Sequence, residues 1–518
     1  MSWVDKLGGK ESAVVLVAGA MHALALTPWV AQVWAPLSAW MQTAGILVLF
    51  WILSGVTRAC QAAWLGWLYG GMWLIGGTGW TYVSLHRFGG LPSWLAGLSV
   101  LLLSLFLSVY LALAAGCWVH WRRQIWWRDA IALGGLWLLA ELARAMVLTG
   151  FPWAASGYGL VDVSWRWWAP LVGVYGVGGL WACAAACGVL LWRQGQRAGA
   201  LAAALLLVLS VSYQPVRPLA AFTKPVDRPL TVSLLQGNVP QDEKFVPELQ
   251  VPMLMWHGRE LLASSSDLVV APETAVPLLP SQLPEAFWEG LLDGFRQGER
   301  YALFGVPLGS FERGYTNSVV GLSPVAATSP QGFYQYDKHH LVPFGEFIPF
   351  GFHWFVQLMN IPLGDFSRGP LAAPSFAVKG QRVAPTICYE DLYGEEIATR
   401  FVDAARSPTI LANVSNLAWF GEDLAIFQHH QIARMRSLEF QVPTIRATNT
   451  GATMIVDAAG RVTHQLASNQ RGVLVGAVQG FSGVTPYAWW AGRFGLWPLV
   501  AFALLVSIPF NRIGVLRR

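Results

Sequence analysis

The stretch VAPTICYEDLYGEE, residues 383–396, runs from an apolar, strand-like segment into one thiol, Cys388, and then into a cluster of carboxylates. In α/β domains, functional side chains gather where strands give way to loops. Runs of the same kind recur on both sides: Leu230 to Leu235, Leu268 to Ala271, Ala302 to Val306, Asn317 to Leu322, Thr409 to Ala412, Thr444 to Ala447, Thr453 to Val456 and Gly472 to Val478. Helical patterns at Pro284 to Arg296, Leu392 to Val402 and His429 to Glu439 lie between several of them. The mixture predicts an α/β domain with a largely buried sheet, not an all-β sandwich.

Outside residues 215–487 the composition changes. The chain is 518 residues long, 54% hydrophobic and only 12% charged, against about 25% charged in ordinary soluble domains. Apolar stretches near 14–34, 38–56, 61–83, 93–117, 129–148, 168–192 and 198–214, with a last one from Ala488 to Phe510, predict eight transmembrane helices. The expected organisation is a transmembrane domain at 1–214, an inserted globular domain at 215–487, and a closing helix with a basic tail at 488–518. The first segment follows Lys6 and Lys10 and lacks a small-residue cleavage site, so it reads as a retained anchor.

Short-loop charges set the orientation. Lys6, Lys10, Arg58, Arg122, Arg123, Arg128, Arg193, Arg197, Arg512, Arg517 and Arg518 fall on one side, and only Arg87 and Arg166 on the other. Both termini are therefore expected in the cytoplasm and the inserted domain outside it. This asymmetry accounts for the net charge of +5 without nucleic acid. Trp80, Trp153, Trp167, Trp168, Trp489 and Trp490 fall near predicted interfaces, where tryptophan anchors helices.

Cys60, Cys117, Cys183 and Cys187 sit in or beside predicted spans, which leaves Cys388 as the one thiol of the external domain. A cysteine without a disulfide partner in an oxidising compartment points to a reactive group. DLVVAPETAVP delivers Glu273 at a strand end, and YQYDKHHLVPFGEFIPF sets Lys338 and Glu346 on a Gly/Pro-punctuated loop. An acid, a lysine and a cysteine suit nucleophilic acyl chemistry, with a carboxylate to take the thiol proton and an ammonium to favour developing anions. Taken singly, Glu273 also fits a turn cap, Lys338 a solvated charge and Cys388 an inert buried thiol. The pairs His339/His340 and His429/His430 lack ligand spacing, so no metal is expected. Glu141 and Arg144 lie three apart within a predicted span, either as a self-satisfying pair or as a candidate contact for a lipid phosphate.

The segments LLQGNVPQDEKF, APETAVP, YQYDKHHLVPFGEFIP, ICYED and SNLAWFGEDLAIFQHHQIARMRSLEFQVPTIRATNTG together resemble the motif series of bacterial apolipoprotein N-acyltransferases. These are membrane members of the nitrilase, or carbon–nitrogen hydrolase, superfamily. GTGWTYVSLHRFGG and ELARAMVLTGFPWAASGYG resemble the family's membrane segments, so the likeness spans nearly the whole chain. The resemblance implies a nitrilase-like α-β-β-α sandwich with Glu273 as general base, Lys338 as oxyanion stabiliser and Cys388 as nucleophile. It further implies supporting roles for Glu346, Tyr389 and Glu390, and a substrate-entrance loop at Trp419 and Phe420. Two positions depart from the family pattern: Leu417 stands where many relatives have aspartate, and Phe245 where tryptophan is frequent.

The implied reaction moves a fatty acyl chain from a phospholipid, expected to be phosphatidylethanolamine, through a cysteine thioester to the α-amine of a diacylated apolipoprotein. It needs no cofactor. A monomer in the bacterial inner membrane, with a periplasmic catalytic domain, is expected. Two alternatives stay open on the sequence: a membrane-tethered amidase or nitrilase, in which water resolves the thioester, and a transporter or receptor whose external domain binds ligand.

Overall fold

The computed structural model describes residues 9–214, 220–226, 228–244, 246–310, 314–349, 351 and 366–508. Phe245, Lys6, Arg512, Arg517 and Arg518 lie outside the described residues. The chain divides into two compact units, Met1–Thr81 with Trp94–Pro218 and Phe494–Arg518, and Tyr82–Ser93 with Leu219–Arg493.

The first unit is helical. Four helical stretches are long and apolar enough to cross a membrane: Ala35–Gly55, Ser93–Trp121, Trp126–Thr149 and Ser164–Arg193. The expected closing span from Ala488 is broken into Pro486–Phe494 and Trp497–Ser507, bent by 95° at the break, and the remaining expected spans form helices that fall short of that standard for two reasons. Gly9–Leu24 and Arg197–Ser212 have 16 residues each, which rise only about 24 Å against a hydrocarbon core of about 30 Å. Ala59–Thr78 is long enough, but Gln61, Tyr69 and three tryptophans lower its hydropathy along with its glycines. Those glycines allow close packing: a Cβ on Gly66 would lie 2.9 Å from the Leu111 carbonyl oxygen, and one on Gly70 2.9 Å from Ser108 Cβ. Small residues at helix contacts replace hydrophobic bulk as the source of association in lipid.

Burial corrects two expectations here. Trp80, Trp153 and Trp167 are buried in this unit, whereas Trp168 is exposed. Glu141 and Arg144 are each 3% exposed and make no ion pair with one another among the described residues. The Ser156 backbone N–H donates to Glu141 Oε1 at 3.0 Å, and Arg144 donates to the Trp153 carbonyl at 2.8 Å. Enclosed in protein instead of facing lipid, they fasten their helix to the loop that follows it.

The second unit is built on two six-stranded sheets, with a small antiparallel pair of β1 (Thr223–Pro225) and β14 (Phe481–Gly483) beside them. One sheet contains β2 (Leu230–Gln236), β3 (Leu268–Val270), β4 (Tyr301–Ser310), β5 (Gly314–Leu322), β6 (Tyr334–Asp337) and β13 (Gly472–Val478), in the order β13-β2-β3-β4-β5-β6. The other contains β7 (Phe376–Val378), β8 (Gln381–Ile387), β9 (Ile410–Ser415), β10 (Thr444–Thr448), β11 (Met454–Val456) and β12 (Val462–Gln465), in the order β12-β11-β10-β9-β8-β7. Each has three parallel central strands, β2-β3-β4 and β8-β9-β10, flanked by antiparallel ones.

Side-chain alternation sorts the layers. Leu230, Val232, Leu234, Leu268 and Val270 meet Val383, Ile387, Ile410, Ala412 and Val414 in one core between the sheets. Their neighbours Leu235, Val269 and Ala271 point the other way, onto a helical layer that contributes Leu254, Leu261, Leu291 and Phe295. Across the second sheet, helix Leu424–Phe440 covers Met454 and Val456 through Ala433. The result is an α-β-β-α sandwich. Leu417 is fully buried in the inter-sheet core, so the departure there is met by packing, in a place where an aspartate would need a partner.

Candidate active site

Three loops that leave strands of the two sheets bring charged groups together. Glu273 follows β3, Lys338 follows β6, and Cys388 opens the short helical turn Cys388–Leu392 after β8. Lys338 is 1% exposed, with Nζ 2.9 Å from Glu346 Oε1 and 3.5 Å from Glu273 Oε1. Asn317 on β5 donates from one amide nitrogen to both carboxylates, at 2.8 Å to Glu273 and 2.7 Å to Glu346. The Asn416 backbone N–H donates to Glu273 Oε2 at 2.9 Å, and the Val342 N–H to Glu346 Oε2 at 2.8 Å. Glu273 thus has no freedom to cap the turn that follows it, and Lys338 is no surface charge.

Burial alone would push the Lys338 ammonium down, but Glu346, Glu273 and Cys388 outweigh it and hold the group charged well above its ordinary range. For Cys388 the balance falls the other way. Burial pushes its thiol up and Glu273 adds to this; Lys338 opposes it, Glu346 reinforces it and Arg446 opposes it, leaving the thiol well above its ordinary range. The resting group is a protonated thiol that feels the charge of Glu273, so attack requires proton removal as the bond forms.

Cys388 has φ +50°, in the left-handed region, where a side chain carries strain that the surroundings must hold. Glu390 supplies the restraint. Its Oε2 accepts from the Ile387 N–H at 2.7 Å and the Tyr336 hydroxyl at 2.7 Å, and its Oε1 from the N–H groups of His339 at 2.7 Å and His340 at 3.2 Å. One carboxylate therefore ties the cysteine turn to the segment that carries Lys338. Asn413 Nδ2 donates to the Cys388 carbonyl at 3.3 Å. Tyr389 accepts from the Tyr393 hydroxyl at 2.9 Å, and Tyr393 stacks on His340 at 3.5 Å.

Trp419 lies in the turn Ala418–Phe420, where Phe88 packs edge-on against its ring at 5.3 Å and Ser84 donates to its carbonyl at 2.7 Å. Phe420 packs against the inter-sheet core. The histidine pairs are otherwise engaged: His340 Nδ1 is 2.8 Å from Glu396 Oε1, and His429 Nδ1 is 2.8 Å from Arg446 Nη2. Among the described residues no cluster of three His, Cys, Asp or Glu side chains is arranged to hold a metal.

Next to the cysteine turn, on the short helix Gly394–Ala398, Glu395 has its carboxyl raised to about 7 by burial and by Glu396, with Arg436 opposing. Its unfolded counterpart ionises near 4.5. A raised folded value means that stability falls as pH climbs from 4.5 through 7. Glu395→Gln is expected to raise the melting temperature at pH 8 and leave it nearly unchanged at pH 5. Equal shifts at both values would show that the carboxyl's charge is not the cause.

Asn317, Asn416 and Lys244 were not singled out in the sequence. Asn317 shares strand parity with Val319, which faces the inter-sheet core, so alternation along β5 was the available signal. Asn416 directly follows β9, a strand end of the kind that yielded the other three groups.

The Carbon-nitrogen hydrolase family model matches residues 231–487, and the Apolipoprotein N-acyltransferase N-terminal domain model matches residues 18–187. A protein named apolipoprotein N-acyltransferase from Verminephrobacter eiseniae is 47% identical over 93% of this chain and 92% of its own. One of the same name from Ralstonia nicotianae is 42% identical over 95% of this chain and 91% of its own. Among solved structures, a carbon-nitrogen hydrolase from Helicobacter pylori G27 is 16% identical, with a TM-score of 0.32, over 56% of this chain and 99% of that one. With full-length identity of this order, the chain belongs to the apolipoprotein N-acyltransferase family.

Proposed function

We propose that this membrane acyltransferase carries a fatty acyl group from a phospholipid to the N-terminal α-amine of a diacylglyceryl-modified apolipoprotein, through a thioester on Cys388. Phosphatidylethanolamine is the donor we favour, and a monomer the working form. The observation that carries the reading is the buried Lys338 ammonium shared by Glu273 and Glu346, in a site whose electrostatics include the Cys388 thiol.

In the first half-reaction Cys388 Sγ bonds to the ester carbonyl carbon while Glu273 takes the thiol proton. Lys338 stabilises the oxyanion. The carbon–oxygen ester bond breaks, the proton passes from Glu273 to the departing glycerol oxygen, and a lysophospholipid leaves. In the second, the neutral α-amine bonds to the thioester carbon, Glu273 takes the amine proton, and the carbon–sulfur bond breaks. The proton returns to sulfur and an amide is released. Glu346 holds Lys338, Glu390 and Tyr389 set the cysteine turn, and Trp419 and Phe420 flank the path of the acyl chains.

The layout that fits this reading is eight spans, with 1–214 and 488–518 in the inner membrane and 215–487 inserted as a periplasmic catalytic domain. It is supported by the charge asymmetry of the short loops. Both termini then face the cytoplasm.

The test is purified protein with a labelled phospholipid and a diacylated lipopeptide, compared with Cys388→Ser. Amide product and a hydroxylamine-labile adduct on Cys388 are expected from the native protein only. Free fatty acid in place of amide would identify a hydrolase, and an active Cys388→Ser would reject the thioester.

A further inference from the structure

A second lysine lies buried at the same site. Lys244 is 3% exposed, and its ammonium donates to the Glu273 carbonyl oxygen at 3.3 Å. Its loop is fastened rather than free. Asn449 receives the Val239 N–H at 2.9 Å and donates to the Val239 carbonyl at 2.7 Å, and the Asn238 N–H reaches the Asn449 carbonyl at 2.7 Å. The Gln241 side chain accepts from Asn416 Nδ2 at 2.7 Å, and Asn416 in turn accepts from Asn449 at 3.0 Å. Asn416 is the residue whose backbone N–H binds Glu273, so one amide ladder positions both the loop of Lys244 and the carboxylate.

From this geometry we infer that Lys244 is a positioning residue for the charge of the site, a second buried cation that favours ionisation of Cys388 during attack. Without it, Lys338 and Arg446 are left to balance two carboxylates and a nascent thiolate. The inference rests on Cys388 being the nucleophile of the reaction proposed above. Among the described residues, the titratable or charged groups that interact with Lys244 are Glu273, Cys388 and His257, with Arg471 beyond the histidine. Burial lowers Lys244 to about 8, against the pull of Glu273 and Cys388, and His257 is lowered to about 4 and stays neutral at working pH.

The test is the rate at which iodoacetamide alkylates Cys388 in the full-length protein in detergent micelles, read by peptide mass spectrometry from pH 6.5 to 9.5. At pH 7 Lys244→Met is expected to slow alkylation about tenfold, the scale of one pKa unit, and Lys244→Arg is expected to match the native rate. As pH passes through 8 to 9 the native lysine loses its charge while arginine keeps it. The native rate is then expected to fall about tenfold behind that of Lys244→Arg and to approach that of Lys244→Met. If Lys244→Met fails to fold, the native-to-arginine ratio alone decides. A ratio that stays constant over the whole range, or an arginine variant as slow as the methionine one, overturns the inference. Alkylation reads the thiol and not the transfer, so charge-dependent alkylation without any acyl transfer would support Lys244 while refuting the proposed reaction.

Discussion

Lys338→Met is expected to lower the rate of thioester formation by about 10³-fold or more, measured as hydroxylamine-labile adduct in a single turnover. Two losses combine. The first is the cation beside the developing oxyanion, and removing one such donor typically costs about 10²–10³ in rate. The second concerns the base. Asn317 donates one amide nitrogen to both Glu273 and Glu346, so the two carboxylates are close neighbours, joined by the ammonium at 3.5 and 2.9 Å. Without it, the carboxylate that takes the thiol proton loses the cation that holds it in place and faces a second carboxylate with no charge between them. Removing one partner of a buried ionic cluster costs roughly 3–5 kcal/mol of stability, so the melting temperature should fall as well, and the rate is to be referred to folded protein. Lys338→Arg should not rescue, because a planar guanidinium cannot take the place of a compact ammonium held between two carboxylates. A methionine variant within tenfold of the native rate would remove Lys338 from the chemistry.

What the sequence displayed and what it concealed follow from the range of the interactions. Strands are local, and their β-branched runs marked them well: Gly472 to Val478 coincides with β13, and Val383 to Ile387 lies within β8. The expected helix from Leu392 to Val402 breaks instead into the short pieces Gly394–Ala398 and Thr399–Phe401 after the cysteine turn. Gly394 lies against the Arg436 guanidinium and the Tyr487 hydroxyl, with no room for a Cβ, a constraint written far along the chain. Glu273, Lys338 and Cys388 were visible because each ends a strand or opens a loop. Lys244 was not, because QDEKF has the polarity of a solvated turn, and the asparagines that fasten its loop, Asn416 and Asn449, come more than 170 residues later. In the membrane half, likewise, the glycines of Ala59–Thr78 look like gaps in an apolar run, yet Gly66 and Gly70 are used for contact with the helix carrying Leu111.

Glu390 concentrates these long-range demands in one side chain. It is 4% exposed and accepts hydrogen bonds from Tyr336, Ile387, His339 and His340. All four are donors, so an ionised carboxylate, which accepts at both oxygens, satisfies them and a carboxamide cannot. In Glu390→Gln the amide nitrogen must face either the pair Tyr336 and Ile387 or the pair His339 and His340. Whichever pair it faces loses its acceptor, at about 1–3 kcal/mol for each buried group left unmade. The strained Cys388 turn is fixed to the Lys338 segment through this carboxylate, so displacement of the sulfur should accompany the loss. Misplacement by about 1 Å can cost 10²-fold in rate. Glu390→Gln is therefore expected to lower the melting temperature and to slow thioester formation about 10²-fold, while Tyr336→Phe, which removes one of the four donors and leaves the carboxylate, should stay within about tenfold of native. A glutamine variant that melts and reacts like the native protein would mean that the turn holds Cys388 at its positive φ without Glu390, and the coupling between the nucleophile and the lysine segment would have to lie elsewhere.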